Sequence, residues 1–154
     1  MKSIKYYLET TVFNFVFADD APEKREITKK FLEIISATPC ELFISETVID
    51  EIDLAPESKR TSMYELIKKY NPTVLEQNEE SEELAERYIG EGIIPQKYDN
   101  DAFHIAVATV NDIDVIISWN LEHIVKLKTK IAVEGINRLM GYGTIEIATP
   151  EEAL

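Results

Sequence analysis

Apolar positions along the chain fall into short, near-continuous runs and into longer stretches with one apolar face, a pattern that predicts strands interleaved with helices. "SIKYYLE" at 3–9 is short and rich in Ile and Tyr, which predicts a first strand; Thr10 and Thr11 then introduce a helical segment. "APEKREITKKFLEIIS" at 21–36 places Ile27, Phe31 and Ile34 at helical spacing, with Pro22 suited to a first turn. "CELFIS" at 40–45 predicts a second strand. Behind it, "ETVIDEI" carries Val48, Ile49 and Ile52 on one helix face, and Pro56 ends that helix.

A helix over 57–70 stops at Asn71 and Pro72, and "TVLE" at 73–76 predicts a third strand. "EESEELAERYIGEGI" is helical until Gly90 and Gly92 break it. "YDNDAFHIAVA", 98–108, opens the next helix, with Asp99 as its expected N-cap. "DVIIS" at 114–118 is the strongest strand, an apolar run of the kind buried on both faces of a parallel sheet. A last helix over 126–140 ends near Gly141 and Gly143, and "TIEIATPEEAL" gives a final strand and tail. No repeat, low-complexity tract or long linker interrupts this order, which predicts one domain over 1–154. The fold class expected is α/β, three-layer α/β/α with a mostly parallel central sheet of about five strands.

Composition supports that picture: 154 residues with 45% hydrophobic content can build a sizeable core. Cys40 is alone and cannot form an intrachain disulfide, which fits a reducing cytoplasm, and it has no local support as a nucleophile. The N-terminal stretch has no cleavage pattern and no run of about eighteen apolar residues occurs, so a soluble, cytoplasmic protein that spans no membrane is expected. The net charge of −13, from 16 basic and 29 acidic residues, counts against a general nucleic-acid-binding surface. Charge is unevenly spread: 76–100 holds eight acids against Arg87 and Lys97, whereas "KLKTK" at 126–130 is basic, as are "EKR" and "KK" within 23–30. Those lysines are either solvated helix faces or holders of a phosphate backbone.

In open α/β sheets, ligands bind beyond the carboxyl ends of the strands. Glu9, Thr10 and Thr11 follow the first strand, Glu51 lies in the helix after the second, and Ser118, Trp119 and Asn120 follow the fourth. Asp101 opens the helix before that fourth strand. Three carboxylates and an amide can therefore meet at one sheet edge. Clustered carboxylates repel unless a cation neutralises them, and hard oxygen donors suit Mg²⁺ or Mn²⁺. An ion so held can orient water for attack on a phosphodiester, the chemistry of a metal-dependent nuclease.

Each residue also has a plainer reading. Glu9 can be a solvated strand end, Glu51 a surface acid beside Asp50 and Asp53, and Asp101 an acid favoured by a helix N-terminus. Thr11 can cap the next helix rather than bond a ligand. His104, three residues after Asp101 and on the same helical side, either packs or joins the site. Trp119 packs a loop or stacks on a base, and His123 is open between a structural role and a contact with substrate phosphate.

"YYLETTVF", "FISETVIDEI", "DNDAFHIAVA" and "VIISWNLEHIV" resemble, in order and approximate spacing, the motifs of the PIN domain, including the toxin ribonucleases called VapC of bacterial and archaeal toxin–antitoxin pairs. The resemblance covers nearly the whole chain. The family's first motif, Asp then Thr or Ser after a hydrophobic strand, falls on Glu9, Thr10 and Thr11. Its helical glutamate falls on Glu51, its Asp-Ala motif on Asp101, and its Thr/Ser-x-Asp motif on Ser118 and Asn120. Glu9 keeps the charge with one more methylene; Asn120 keeps a carbonyl oxygen without the charge. The resemblance implies a Mg²⁺- or Mn²⁺-dependent endoribonuclease with Glu9, Glu51, Asp101 and Asn120 as catalytic positions. The first three would be metal ligands, and Thr11, His104 and Ser118 would contact substrate or support the ligands. It also implies RNA as substrate, an antitoxin protein partner and a homodimer. The alternative is a catalytically weak or inactive PIN scaffold that binds RNA or protein.

Overall fold

A computed structural model describes residues 2–154. The chain runs β1 (Ile4–Leu8), α1 (Thr10–Phe15), α2 (Pro22–Ser36), β2 (Cys40–Ser45), α3 (Glu46–Asp53), α4 (Glu57–Tyr70) and β3 (Thr73–Leu75). It continues through α5 (Glu79–Gly90), a 3-10 turn (Gln96–Tyr98), α6 (Asp99–Val110), β4 (Val115–Ile117), α7 (Leu127–Leu139) and β5 (Glu146–Ala148). The five strands form one all-parallel sheet in the order β3-β2-β1-β4-β5. The helices pack mainly as two groups, α1 to α4 and α5 to α7, giving the three-layer α/β/α architecture that the hydrophobic pattern predicts.

The centre of the sheet explains the apolar runs. Tyr7 and Leu8 of β1 and Ile116 and Ile117 of β4 are fully buried, as strands covered on both faces require. At one edge β3 is three residues long with Thr73 and Val74 exposed, and a short edge strand limits pairing with other chains. The strand order reverses direction between β1 and β4, which opens a crevice at their carboxyl ends. Behind the sheet, the buried Tyr88 hydroxyl of α5 donates to Asn137 of α7, whose amide reaches Thr109 of α6 at 3.4 Å.

Local signals set several boundaries. α4 stops at Asn71, which adopts the left-handed C-cap conformation (φ 48°, ψ 53°) with Pro72 behind it. α5 begins with a reciprocal capping box between Asn78 and Ser81. β1 and β4 are shorter than the sequence pattern suggests, because Glu9 already takes the cap position of α1 and Ser118 starts the loop toward α7.

Two expectations are corrected. The buried face of α2 is Thr28, Phe31, Leu32 and Ile35, while Ile34 is 47% exposed. The helix is rotated to bring the Thr28 hydroxyl inward, where it accepts a hydrogen bond from Trp119 Nε1 at 2.8 Å. Asp99 is not the N-cap of α6: the 3-10 turn runs straight into the helix, Tyr98 takes the cap position, and no side chain caps it. Asp99 and Asp101 both lie in the first turn, where the helix's positive end favours acids. Among the described residues no helix is long and apolar enough to cross a membrane.

Candidate metal centre

Glu9 directly follows β1, and its backbone N–H donates to Ile117 O at 3.0 Å, so the β1–β4 pairing fixes its place. Strand alternation puts its side chain on the same side as Tyr7. Only 3% exposed, the Glu9 carboxylate accepts hydrogen bonds at Oε1 from Thr11 Oγ1 and Ser118 Oγ, each 2.6 Å long. Glu51, on the second turn of α3, accepts from Thr10 Oγ1 at 2.6 Å, and the same oxygen lies 2.5 Å from His104 Nε2. That imidazole, on α6, is fully buried; its Nδ1 lies 2.6 Å from the Tyr7 hydroxyl, itself 2.7 Å from Ser45 Oγ. His104 Nε2 is also 3.9 Å from Glu9 Oε2. One donor atom from each of Glu9, Glu51 and His104 thus lies within 4.8 Å of the others.

Asp101 lines the same recess as Glu9, Thr10, Thr11, Glu51 and Asn120, a volume of about 250 Å³. Its Oδ2 is 3.0 Å from His123 Nδ1. Asn120 Oδ1 accepts from the His123 backbone N–H at 3.0 Å. The His123 ring leans on Tyr98, with centroids 4.2 Å apart.

These surroundings drive the carboxylates apart in acidity. Burial pushes Glu9 up, and His104, Ser118 and Thr11 only partly offset it. Burial likewise raises Asp101 against the pull of His104, His123 and Asn120. For Glu51, burial also acts upward, but His104, Thr10 and Asn100 outweigh it and hold the carboxyl below the usual range. Burial would lower His104, yet its bond to Glu51 and the charges of Glu9, Glu51 and Asp101 prevail and raise it. His104 therefore lies against two carboxylates whose charges favour its protonated form. Glu9 and Glu51, with Asp101 lining the same recess and the His104 imidazole able to join once Nε2 is deprotonated, form a donor set that fits a divalent first-row ion. Added positive charge there would oppose the desolvation that raises Glu9 and Asp101.

No family model matches the chain, and no curated protein matches it in sequence. Among solved structures, it is similar to a chain of VapBC2 from Rickettsia felis, crystallised bound to a DNA fragment from the promoter. The two superpose with a TM-score of 0.60 at 12% identity, over 95% of this chain and 98% of that one. The fold is shared.

On that fold, the sequence-predicted residues gather at the carboxyl ends of β1 and β4, although not all in the expected arrangement. Glu9 and Glu51 converge, the extra methylene of Glu9 notwithstanding, but the third donor beside them is His104; Asp101 lies across the recess. Ser118 supports Glu9 directly. Thr11 does not cap a following helix: it already lies in α1, where its hydroxyl donates to Glu9 and accepts from Trp119 N at 2.8 Å. Trp119 is 6% exposed and packs, so its indole is no base-stacking surface. Sequence reasoning missed Tyr7 and Ser45, and it named Thr10 without its bond to Glu51. Tyr7 carried a usable signal, since it lies two residues before Glu9 on the same side of the strand.

Proposed function

We propose that this chain is a metal-dependent endoribonuclease that cuts RNA phosphodiester bonds, toxin-like and restrained by an antitoxin protein. The observation that carries the reading is the convergence of Glu9, Glu51 and His104 at the β1–β4 crevice, with Asp101 lining the same recess. Glu9 and Glu51 would hold Mg²⁺ or Mn²⁺, with Asp101 as the further carboxylate. Bound there, the ion supplies the Lewis acidity that activates water and offsets charge developing on a phosphodiester. Thr11 and Ser118 hold Glu9, Thr10 and His104 hold Glu51, and His123 holds Asp101, so the carboxylates keep fixed directions. RNA as the substrate and a homodimer rest on the PIN resemblance; the fold shared with a VapBC2 chain supports a paired protein partner.

The test incubates labelled RNAs with the protein in Mn²⁺ and in EDTA. Cleavage should require Mn²⁺ and should fall roughly 100-fold in Glu51→Gln and Asp101→Asn, a loss of about 2.7 kcal/mol of transition-state stabilisation. Unchanged thermal melts would confirm that both variants fold. No cleavage of several RNAs, together with no stabilisation by Mn²⁺, would sink the proposal. One observation favours a second reading, an inactive scaffold: the Asn120 carbonyl oxygen, without the charge of a carboxylate, is already engaged by the His123 backbone N–H. Its mark would be RNA binding indifferent to Mn²⁺.

A further inference from the structure

A second cavity, of about 370 Å³, has His123 in its lining, and His123 Nδ1 lies 3.0 Å from Asp101 Oδ2, which lines the recess of the candidate metal centre. Ile93, Pro95, His123, Lys126 and Lys128 line this second cavity, a volume within the range of small-ligand sites. His123 is fixed on two sides, by Asp101 at Nδ1 and by the Tyr98 ring against its face. Lys97 Nζ stands 5.7 Å over the Tyr98 ring. Lys126 and Lys128 thus share a cavity with His123, and Lys97 stands over the Tyr98 ring that His123 leans on, in a chain whose net charge is −13. Among the described residues, neither Lys126 nor Lys128 meets a carboxylate within 4.0 Å. Two acids share the lining and are otherwise engaged: Glu91 pairs with Arg87 at 3.2 Å, and Glu122 lies 3.7 Å from His123 Nε2.

We infer that this cavity is a subsite for single-stranded RNA, taking a nucleotide next to the phosphodiester held at Glu9 and Glu51. Lys126 and Lys128 hold backbone phosphate, and the apolar wall of Ile93 and Pro95 receives sugar or base. Substrate occupying both cavities spans His123, whose bond to Asp101 ties the subsite to the reacting end. The inference rests on the RNA reading proposed above, but it concerns binding and not cleavage, so the two can fail separately.

Fluorescence anisotropy of a labelled single-stranded RNA in EDTA, where no strand is cut, tests it. The double variant Lys126→Ala/Lys128→Ala should bind about tenfold or more weakly. Its plot of log affinity against log salt should be shallower by about 1.4, or about 0.7 for each lost phosphate contact on a single strand. Both positions are exposed, and an unchanged thermal melt would verify the fold. Unchanged affinity and salt slope in the double variant would overturn the subsite while leaving metal-dependent cleavage standing. Lysine-dependent RNA binding without any Mn²⁺-dependent cleavage would uphold the subsite and overturn the nuclease. A lysine-dependent affinity for polyglutamate, with RNA binding untouched, would overturn it in favour of an acidic protein segment.

Discussion

The charge balance of the site turns on His104. Its ring is fully buried, yet Glu51 and Glu9 hold its pKa above the ordinary 6.5. A raised folded pKa makes the stabilisation complete below 6.5 and lost as pH climbs through the folded value. Glu51 is depressed, so its contribution is present above 4.5 and disappears as pH falls through its folded value. The pair is therefore strongest between those limits. Glu9 opposes it, because its raised carboxyl makes ionisation costly as pH rises beyond 4.5. An NMR titration in EDTA should find His104 above 6.5 in the unmodified chain and lower in Glu51→Gln, where burial remains and the nearest carboxylate is gone. The same value in both would show that Glu51 does not hold the proton.

Among the elements, the loop after β4 is the part most dependent on a remote partner. Trp119 sits between Ser118 and Asn120, and its indole N–H donates to Thr28 on α2. Thr28→Val keeps the side chain's shape and strands that buried donor, at a cost of about 1–3 kcal/mol. Urea denaturation should register the loss, and Thr28→Ser should recover most of it. This contact also marks how far the sequence could be read. Elements with their own periodicity or punctuation were legible: 40–45 by its apolar run, 57–70 by Asn71 and Pro72. The rotation of α2 was not, because the partner that draws Thr28 inward lies 91 residues away. Glu9 and Glu51 were legible from their places after strands. The role of His104 depended on Tyr7, 97 residues distant, and the orientation of Asn120 on the backbone of His123. Asp99 was misread because a 3-10 turn leaves no trace in hydrophobic spacing.

For the molecule as a whole, a specific cation site in a chain of charge −13 should appear in its melting curve. A ligand at one hundred times its Kd adds about 2.7 kcal/mol to stability. In a protein of this size, that corresponds to a rise in Tm of roughly 5–10 °C. Differential scanning fluorimetry with Mn²⁺ should show this rise, while KCl at matched ionic strength should not. Glu51→Gln should lose it. An equal rise in that variant would reduce the effect to diffuse screening of surface acids.

The strand order has a consequence in time. Glu9 directly follows the first strand made, yet one of the two hydroxyls that hold it comes from Ser118, 109 residues later, after β4 has taken its place beside β1. A chain emerging from the ribosome carries Glu9 and Glu51 long before it can assemble the crevice between β1 and β4. A fragment that stops just short of β4 holds Glu9, Glu51 and Asp101 but lacks the strand and the Ser118 hydroxyl that complete the crevice. Whatever chemistry the finished molecule performs is thereby withheld from incomplete copies.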